Sequence, residues 1–355
     1  MSGRNVCRIV RAFLACALLL LAVPARAEDD SATLNLLTWQ GYTDPEIAAA
    51  FTAETGCTVN AVFVGADYDF PVRLAGGGYL DFDLVSPSLD MTSVLAKLGV
   101  IEPLNPSWLS HWRDIPAAFR EHPGVTDGTA VFAVPFDWGA FGLLYRADKV
   151  TDPPASFGAL WDERYAGRIA LWDDESSLYT AARLLFGAET DVYALSDHEL
   201  ASVRDKLIAQ KPLLRDYWSS AGELMNLFVY GDVWLSDGWE IAARGLEADG
   251  LPVTLAAPAG TTSGFADAWQ IVRESTRIDC AYAWLNFVTS PQGQCLTFRV
   301  TGFSPVNPKA LAACPEARRR GGIDDLMDLS RIDLWREPER PDRYTEVWNA
   351  VKAAQ

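Results

Sequence analysis

From residue 33 onward the chain alternates short apolar runs with helical stretches, and this restricts its fold more than any other feature. Strand, helix and strand in succession imply a mostly parallel sheet with helices over its faces. The pattern predicts strands over residues 34–37, 58–64, 84–85, 132–135, 142–145, 168–172, 233–235, 253–256 and 269–272. Helical spacing fits residues 45–54, 69–75, 91–98, 178–185, 198–210, 279–287, 291–300 and 344–354, with a capped turn or short helix at 156–161. No internal repeat or low-complexity linker interrupts the order. Two lobes without a linker are expected to be joined by crossing strands, and residues 132–145 and 253–272 are the places for them.

The first residues read differently. Arg4, Arg8 and Arg11 precede an apolar stretch, Ala12 to Val23, which Pro24-Ala25-Arg26-Ala27 follows. A basic start, a short apolar core and an A-x-A site predict a secretory leader over residues 1–27, cut after Ala27. The apolar stretch is too short for a comfortable membrane span. An exported, periplasmic protein of roughly 330 residues follows, long enough for two lobes with a core each.

Loss of that leader moves the formal charge from −17 to about −21. A chain this acidic, with no basic patch, is a poor nucleic-acid binder. His111, His122 and His198 are scattered and none belongs to an H-E-x-x-H motif, so neither metal nor cofactor is expected. Gly76-Gly77-Gly78 lacks the following Lys-Ser/Thr of a phosphate loop and reads as a turn. Cys57, Cys280, Cys295 and Cys314 remain after cleavage, and an oxidising compartment allows two disulfides with three connectivities. Cys280 and Cys295 fall on consecutive expected helices joined at Ser290-Pro291, which favours that pair and leaves Cys57 with Cys314.

The strand ends repeat one pattern. An apolar run reaches Leu37 and stops at Trp39, Gly41 and Tyr42. Later ends carry Ser86-Pro87-Ser88, Trp138, Asp174, Trp239, Phe265 with Asp267, and Phe303. In open α/β sheets ligands sit at the carboxyl ends of strands. Aromatic faces attract an ammonium and carboxylates neutralise it, so this set fits a box for a cation. A desolvated cation–π contact contributes about 2 kcal/mol, and several such contacts less the cost of association leave about −8 kcal/mol, a micromolar affinity. Thirteen tryptophans in one chain must mostly be core, which limits what any single one can show.

The motifs in order resemble the spermidine/putrescine-binding periplasmic proteins of ATP-binding-cassette importers. They are the strand end Leu36, Trp39, Tyr42; Phe51, Glu54, Thr55 and Gly56; the turn Asp83 to Ser88; the segment Val134 to Ala140; the strand ending in Asp173-Asp174; and Gly302-Phe303-Ser304-Pro305-Val306-Asn307. The resemblance runs from about residue 33 to the C-terminus. It implies an α/β fold of the two-lobed type II periplasmic binding kind, each lobe a mixed sheet flanked by helices, joined by crossing strands. Lobe one would take residues 28–136 and 268–310 and lobe two residues 137–267. Residues 311–355 would pack on lobe two or across both.

The same resemblance implies that Trp39, Tyr42 and Ser88 line the cleft from one lobe. Asp174 and Trp239 would approach from the other, with Asp267 after Phe265 gripping an amine. Trp138, Phe303 and Arg336 complete the expected ligand-binding set. Departures accompany it: Gly41 and Ser177 stand where the family usually has acids, Phe265 and Phe303 where a tryptophan and a tyrosine are usual, and Asp90 where an aromatic is common. Two lost acids argue against a long polyamine, and Arg336 facing the cleft would suit a carboxylate. The expected ligand is a small amine, putrescine or spermidine first and a zwitterion such as 4-aminobutyrate second. The expected partner is an inner-membrane permease, and the binding protein itself is expected to be a monomer. An exported hydrolase is the rival of a different class, but no G-x-S-x-G elbow occurs.

Overall fold

The computed structural model describes residues 32–256, 262–314 and 332–354. The expected leader lies outside the described residues. In chain order the strands are β1 (Thr33–Thr38), β2 (Thr58–Phe63), β3 (Leu84–Val85), β4 (Thr126–Asp127), β5 (Ala130–Val131), β6 (Val134–Ala140) and β7 (Gly142–Arg146). Then come β8 (Ile169–Trp172), β9 (Leu214–Trp218), β10 (Leu235–Gly238), β11 (Val253–Ala256), β12 (Thr262–Ile271), β13 (Ser304–Pro305) and β14 (Ile332–Leu334).

Two sheets organise the molecule. One runs β13-β6-β12-β3-β1-β2, with β14 paired to the start of β12. The other runs β11-β7-β10-β8-β9, and β4 with β5 forms a small hairpin apart from both. β1, β2 and β3 are parallel, as are β8, β9 and β10. Antiparallel neighbours enter where the chain changes sheet, so both sheets are mixed. β6 lies in the first sheet and β7 in the second, with Phe141 alone between them. β11 and β12 make the return passage. This is the α/β, two-lobed arrangement with mixed sheets that the family resemblance implied; the alternating pattern alone implied mostly parallel ones.

Local chemistry explains the elements. Asp44 accepts a hydrogen bond from Glu46 N and Pro45 opens the helix Pro45–Thr55; Gly56, at φ 77°, closes it. That helix buries Ile47 and Phe51, and Phe51 meets Trp284 edge-on at 4.9 Å. Burying such a ring contributes about 2–3 kcal/mol. Several elements escape the periodicity, among them β9 and the helices Ala221–Val229 and Glu240–Ala248. β10 also lies later than expected, because its polar residues Ser236 and Asp237 are buried within the sheet. Asp237 is satisfied there by Trp172 N at 2.9 Å and by the Ser236 hydroxyl, so a run that reads as a turn behaves as strand.

The disulfides correct the expected pairing. Cys57 bonds Cys280, and Cys295 bonds Cys314. Cys280 sits in the first turn of the helix Ile278–Thr289, and its sulfur lies near Ala32 beside the start of β1 and β2. Cys295, on the helix Pro291–Thr301, instead shares a small apolar cluster with Phe298 and Cys314. Consecutive helices therefore present these two cysteines to different neighbours.

Candidate functional site

The first wall begins where β1 stops. Thr38 is tied to Ser86 by their hydroxyls at 2.6 Å. Trp39 then leaves the sheet and packs edge-on against Phe70 at 5.4 Å. The chain turns at Gly41, with φ 101°, where a Cβ would meet Ile241 Cδ1 at 3.0 Å. Only glycine combines that backbone angle with so little room. The turn carries Tyr42 into the interior, its ring edge-on to Phe136 at 4.7 Å. Its hydroxyl lies 2.5 Å from Asp267 Oδ2 and 3.1 Å from Asp137 Oδ1.

Asp267 belongs to β12 at a register shift against β6, a bulge that re-aims side chains along a strand. Its Oδ1 lies 3.0 Å from Ser88 Oγ. The same hydroxyl lies 3.1 Å from Asp67 Oδ2, and Ser88 N donates to Asp67 Oδ1 at 3.2 Å. Asp67, Ser88, Asp267, Tyr42 and Asp137 therefore form one buried chain of oxygens.

The facing wall is made of indoles. Trp172 ends β8 and meets Trp239, which follows β10, edge-on at 4.6 Å. Trp172 also stacks on Trp218 and on Trp335, both at 5.9 Å. Phe265 bridges toward the first wall, edge-on to Phe303 at 4.8 Å and 6.4 Å from Trp239. Between the walls is a cavity of about 370 Å³, within the size range of small-ligand sites. Ser219 and Ser220 reach it from the start of the helix Ala221–Val229, and among the described residues no lysine or arginine lines it.

Negative charge is crowded here. Burial, and then Asp174, pushes Asp90 up to about 8; burial likewise raises Asp174 to about 6 and Glu175 to about 7. Asp67 is raised well above the usual carboxylate range by burial and by Asp90, Asp174 and Asp267. Burial lifts Asp267 to about 7 against the hydrogen bonds of Tyr42 and Ser88. Asp90 Oδ1 is buried with no hydrogen-bond partner among the described residues. Carboxyls in such surroundings hold protons until a cation replaces them.

Of the expected residues, Trp39, Tyr42, Ser88, Trp239, Phe265, Asp267 and Phe303 line this one cavity. Asp174 stands behind the lining, buried, accepting from Ser176 N at 2.8 Å, within electrostatic reach of Asp67 and Asp90. Trp138 does not line the cavity. Neighbours on a strand point to opposite faces, so Asp137 turns to Tyr42 while Trp138 packs on Phe119 at 6.1 Å. Arg336 does not line it either: half-exposed, it pairs with Asp191 at 2.8 Å over the ring of Tyr193. Its neighbour Trp335 takes the place at the cavity. Pattern reading overlooked Trp172, Trp335, Asp67 and Asp137. Trp172 closes a strand, so the strand-end rule reaches it; nothing in the spacing distinguishes the other three.

With the geometry in place, comparison with known proteins locates the chain. The family model of bacterial extracellular solute-binding proteins matches residues 46–317. This chain belongs to that family. The putrescine-binding periplasmic protein PotF of Escherichia coli is 24% identical over 96% of this chain and 97% of its own length. A solved putative spermidine/putrescine ABC transporter protein from Listeria monocytogenes shares the fold, with TM-score 0.80 and 20% identity, over 91% of this chain and 100% of the other. The Atu4243-GABA receptor does so at TM-score 0.71 and 20% identity, over 91% and 98%. The motif resemblance to spermidine/putrescine-binding periplasmic proteins stands, and solute-binding family members are not enzymes. Among the described residues no helix is long and apolar enough to cross a membrane.

Proposed function

We propose that this protein is the exported solute-binding component of an ABC importer, capturing a small polyamine, putrescine or spermidine first, and delivering it to an inner-membrane permease. One observation carries the reading. The cavity joins aromatic faces to Asp267 and neighbouring buried carboxyls, while its lining among the described residues holds no basic side chain. An ammonium in that place meets ring quadrupoles and unneutralised acids together, which is the chemistry of amine capture. Asp90, buried near Asp174 and without a hydrogen-bond partner among the described residues, brings a carboxyl that can give up its proton to a bound ammonium where Gly41 and Ser177 bring none. The relatives named for putrescine and spermidine support the same class.

A zwitterion such as 4-aminobutyrate is the second reading. Trp39 Nε1 and Trp335 Nε1 are buried without an acceptor among the described residues, and a ligand carboxylate could accept from them. Against it, Arg336 is engaged with Asp191 outside the cavity. The start of the helix Ala221–Val229 is also closed on the chain's own acid, since Ser219 N and Oγ both donate to Glu223 Oε2 at 2.8 Å.

Thermal unfolding with putrescine, spermidine and 4-aminobutyrate separates these. A ligand at a hundredfold its Kd stabilises by about 2.7 kcal/mol, which raises Tm by several degrees. Stabilisation by 4-aminobutyrate alone would replace the polyamine reading with the zwitterion one. An unchanged Tm with all three would remove both.

A further inference from the structure

Taking the cleft as the binding site proposed above, we infer that Asp67 and Asp137 are neutral carboxyls that donate hydrogen bonds through Ser88 and Tyr42. Asp267 is then the one charged acid of this buried chain, and Asp67 and Asp137 are positioning residues. Four oxygen–oxygen approaches connect the five side chains. Ser88 Oγ stands 3.1 Å from Asp67 Oδ2 and 3.0 Å from Asp267 Oδ1. The Tyr42 hydroxyl stands 2.5 Å from Asp267 Oδ2 and 3.1 Å from Asp137 Oδ1. Each hydrogen bond needs one hydrogen, and each hydroxyl has only one to give. If all three carboxyls were ionised, two of the four approaches would set lone pair against lone pair in a buried place.

Two further protons complete the set, and every arrangement that fills all four contacts leaves a single ionised carboxyl. Its location follows from the surroundings. Asp137 Oδ2 is buried with no partner among the described residues, and Glu240 bears on that carboxyl electrostatically. A charge there would be both unsolvated and repelled. Asp67 faces the acids Asp90 and Asp174. Asp267 alone faces the cavity and can accept a hydroxyl hydrogen on each oxygen. Asp137 therefore donates to Tyr42 and Tyr42 to Asp267; Asp67 donates to Ser88 and Ser88 to Asp267. The titration behaviour agrees: burial raises Asp67 and Asp137 well above the usual range, while Tyr42 and Ser88 hold Asp267 nearer neutrality. The consequence is a carboxylate locked in position before an ammonium arrives, with no second charge beside it to repel.

Two measurements test this. Infrared spectra in the carboxyl-stretch region of the unliganded protein at about pH 8, where ordinary acids are ionised, should show protonated carboxyls. Asp67→Asn and Asp137→Asn should each remove part of that absorption, and Asp267→Asn should not. For binding of putrescine, Asp137→Ala should weaken affinity by about ten- to a hundredfold, the range for a hydrogen bond to a charged partner. Asp137→Asn should recover most of the loss, because an amide donates to Tyr42 as a neutral acid does. Should the alanine variant fail to fold, the infrared comparison still decides. Unchanged absorption in both asparagine variants, or an Asp137→Asn no better than alanine, would overturn the inference. Failure of the native protein to bind putrescine would sink the polyamine reading, while the infrared result would continue to judge where the protons lie.

Discussion

The two walls of the cleft solve different problems. The wall built around β1, β6 and β12 buries Asp67, Asp137 and Asp267 and links them through two hydroxyls and a backbone N–H, leaving Asp137 Oδ2 without a partner among the described residues. The wall built by β8, β9 and β10 stacks Trp172, Trp218 and Trp239 with Trp335, offering area and ring faces and little hydrogen bonding. The first wall is costly without a ligand, because burial works against every carboxyl in it. The second is comfortable empty, since ring contacts hold it together. On the proposed reading, charge recognition and general affinity fall to separate walls, and a ligand that bridges them would draw on both.

The broadest way to break that contrast is pH. Burial raises Asp67, Asp90, Asp137 and Asp267, so the folded protein holds protons that the unfolded chain releases near pH 4. The stability they contribute is complete below that point and is lost as pH rises through their folded values, about 7 for Asp267 and about 8 for Asp90. Unliganded protein should therefore be more stable at pH 5 than at pH 8. The difference should reach several kcal/mol, because each tenfold gain in proton affinity on folding corresponds to about 1.4 kcal/mol. Saturating putrescine should flatten that slope. Chemical denaturation across the range checks this, and a rising curve without ligand would contradict the acid wall.

A sharper break is Asp267→Asn, which keeps shape and removes charge. Putrescine affinity by calorimetry should fall more than a hundredfold, on the order of 3 kcal/mol for a lost charged partner. Trp239→Ala strikes the opposite wall. Loss of a cation–π face of about 2 kcal/mol corresponds to roughly thirtyfold weaker binding, and Trp239→Phe should restore part of it. Equal losses in the two variants would erase the division of labour. The smallest expected effect is Arg336→Gln. Its exposed pair with Asp191 contributes under about 1 kcal/mol, so affinity for any amine should change less than threefold. A tenfold change would put that side chain back at the ligand.

Much of this was legible in the residues. Trp39, Tyr42, Ser88, Trp239 and Phe303 stand at or near strand ends, where ligands gather in α/β sheets, while Phe265 and Asp267, expected at a strand end, lie inside β12. Trp138 and Asp137 show where such reading stops. Alternation along a strand places adjacent residues on opposite faces, but which face is the cleft depends on what packs against β6. The disulfides show the same limit, since proximity in sequence between helices did not determine which sulfurs meet.

The amino-acid order by itself determined the α/β class, the two crossings between sheets and the concentration of aromatic and acidic groups at strand ends. Those follow from periodicity and backbone preference, which act over a few residues. The tertiary structure alone decided that Arg336 pairs outside the cavity and that Asp67 and Asp137 close on Asp267 through two hydroxyls. These contacts join residues as much as 225 positions apart. Only packing of the whole chain selects which buried polar atoms meet.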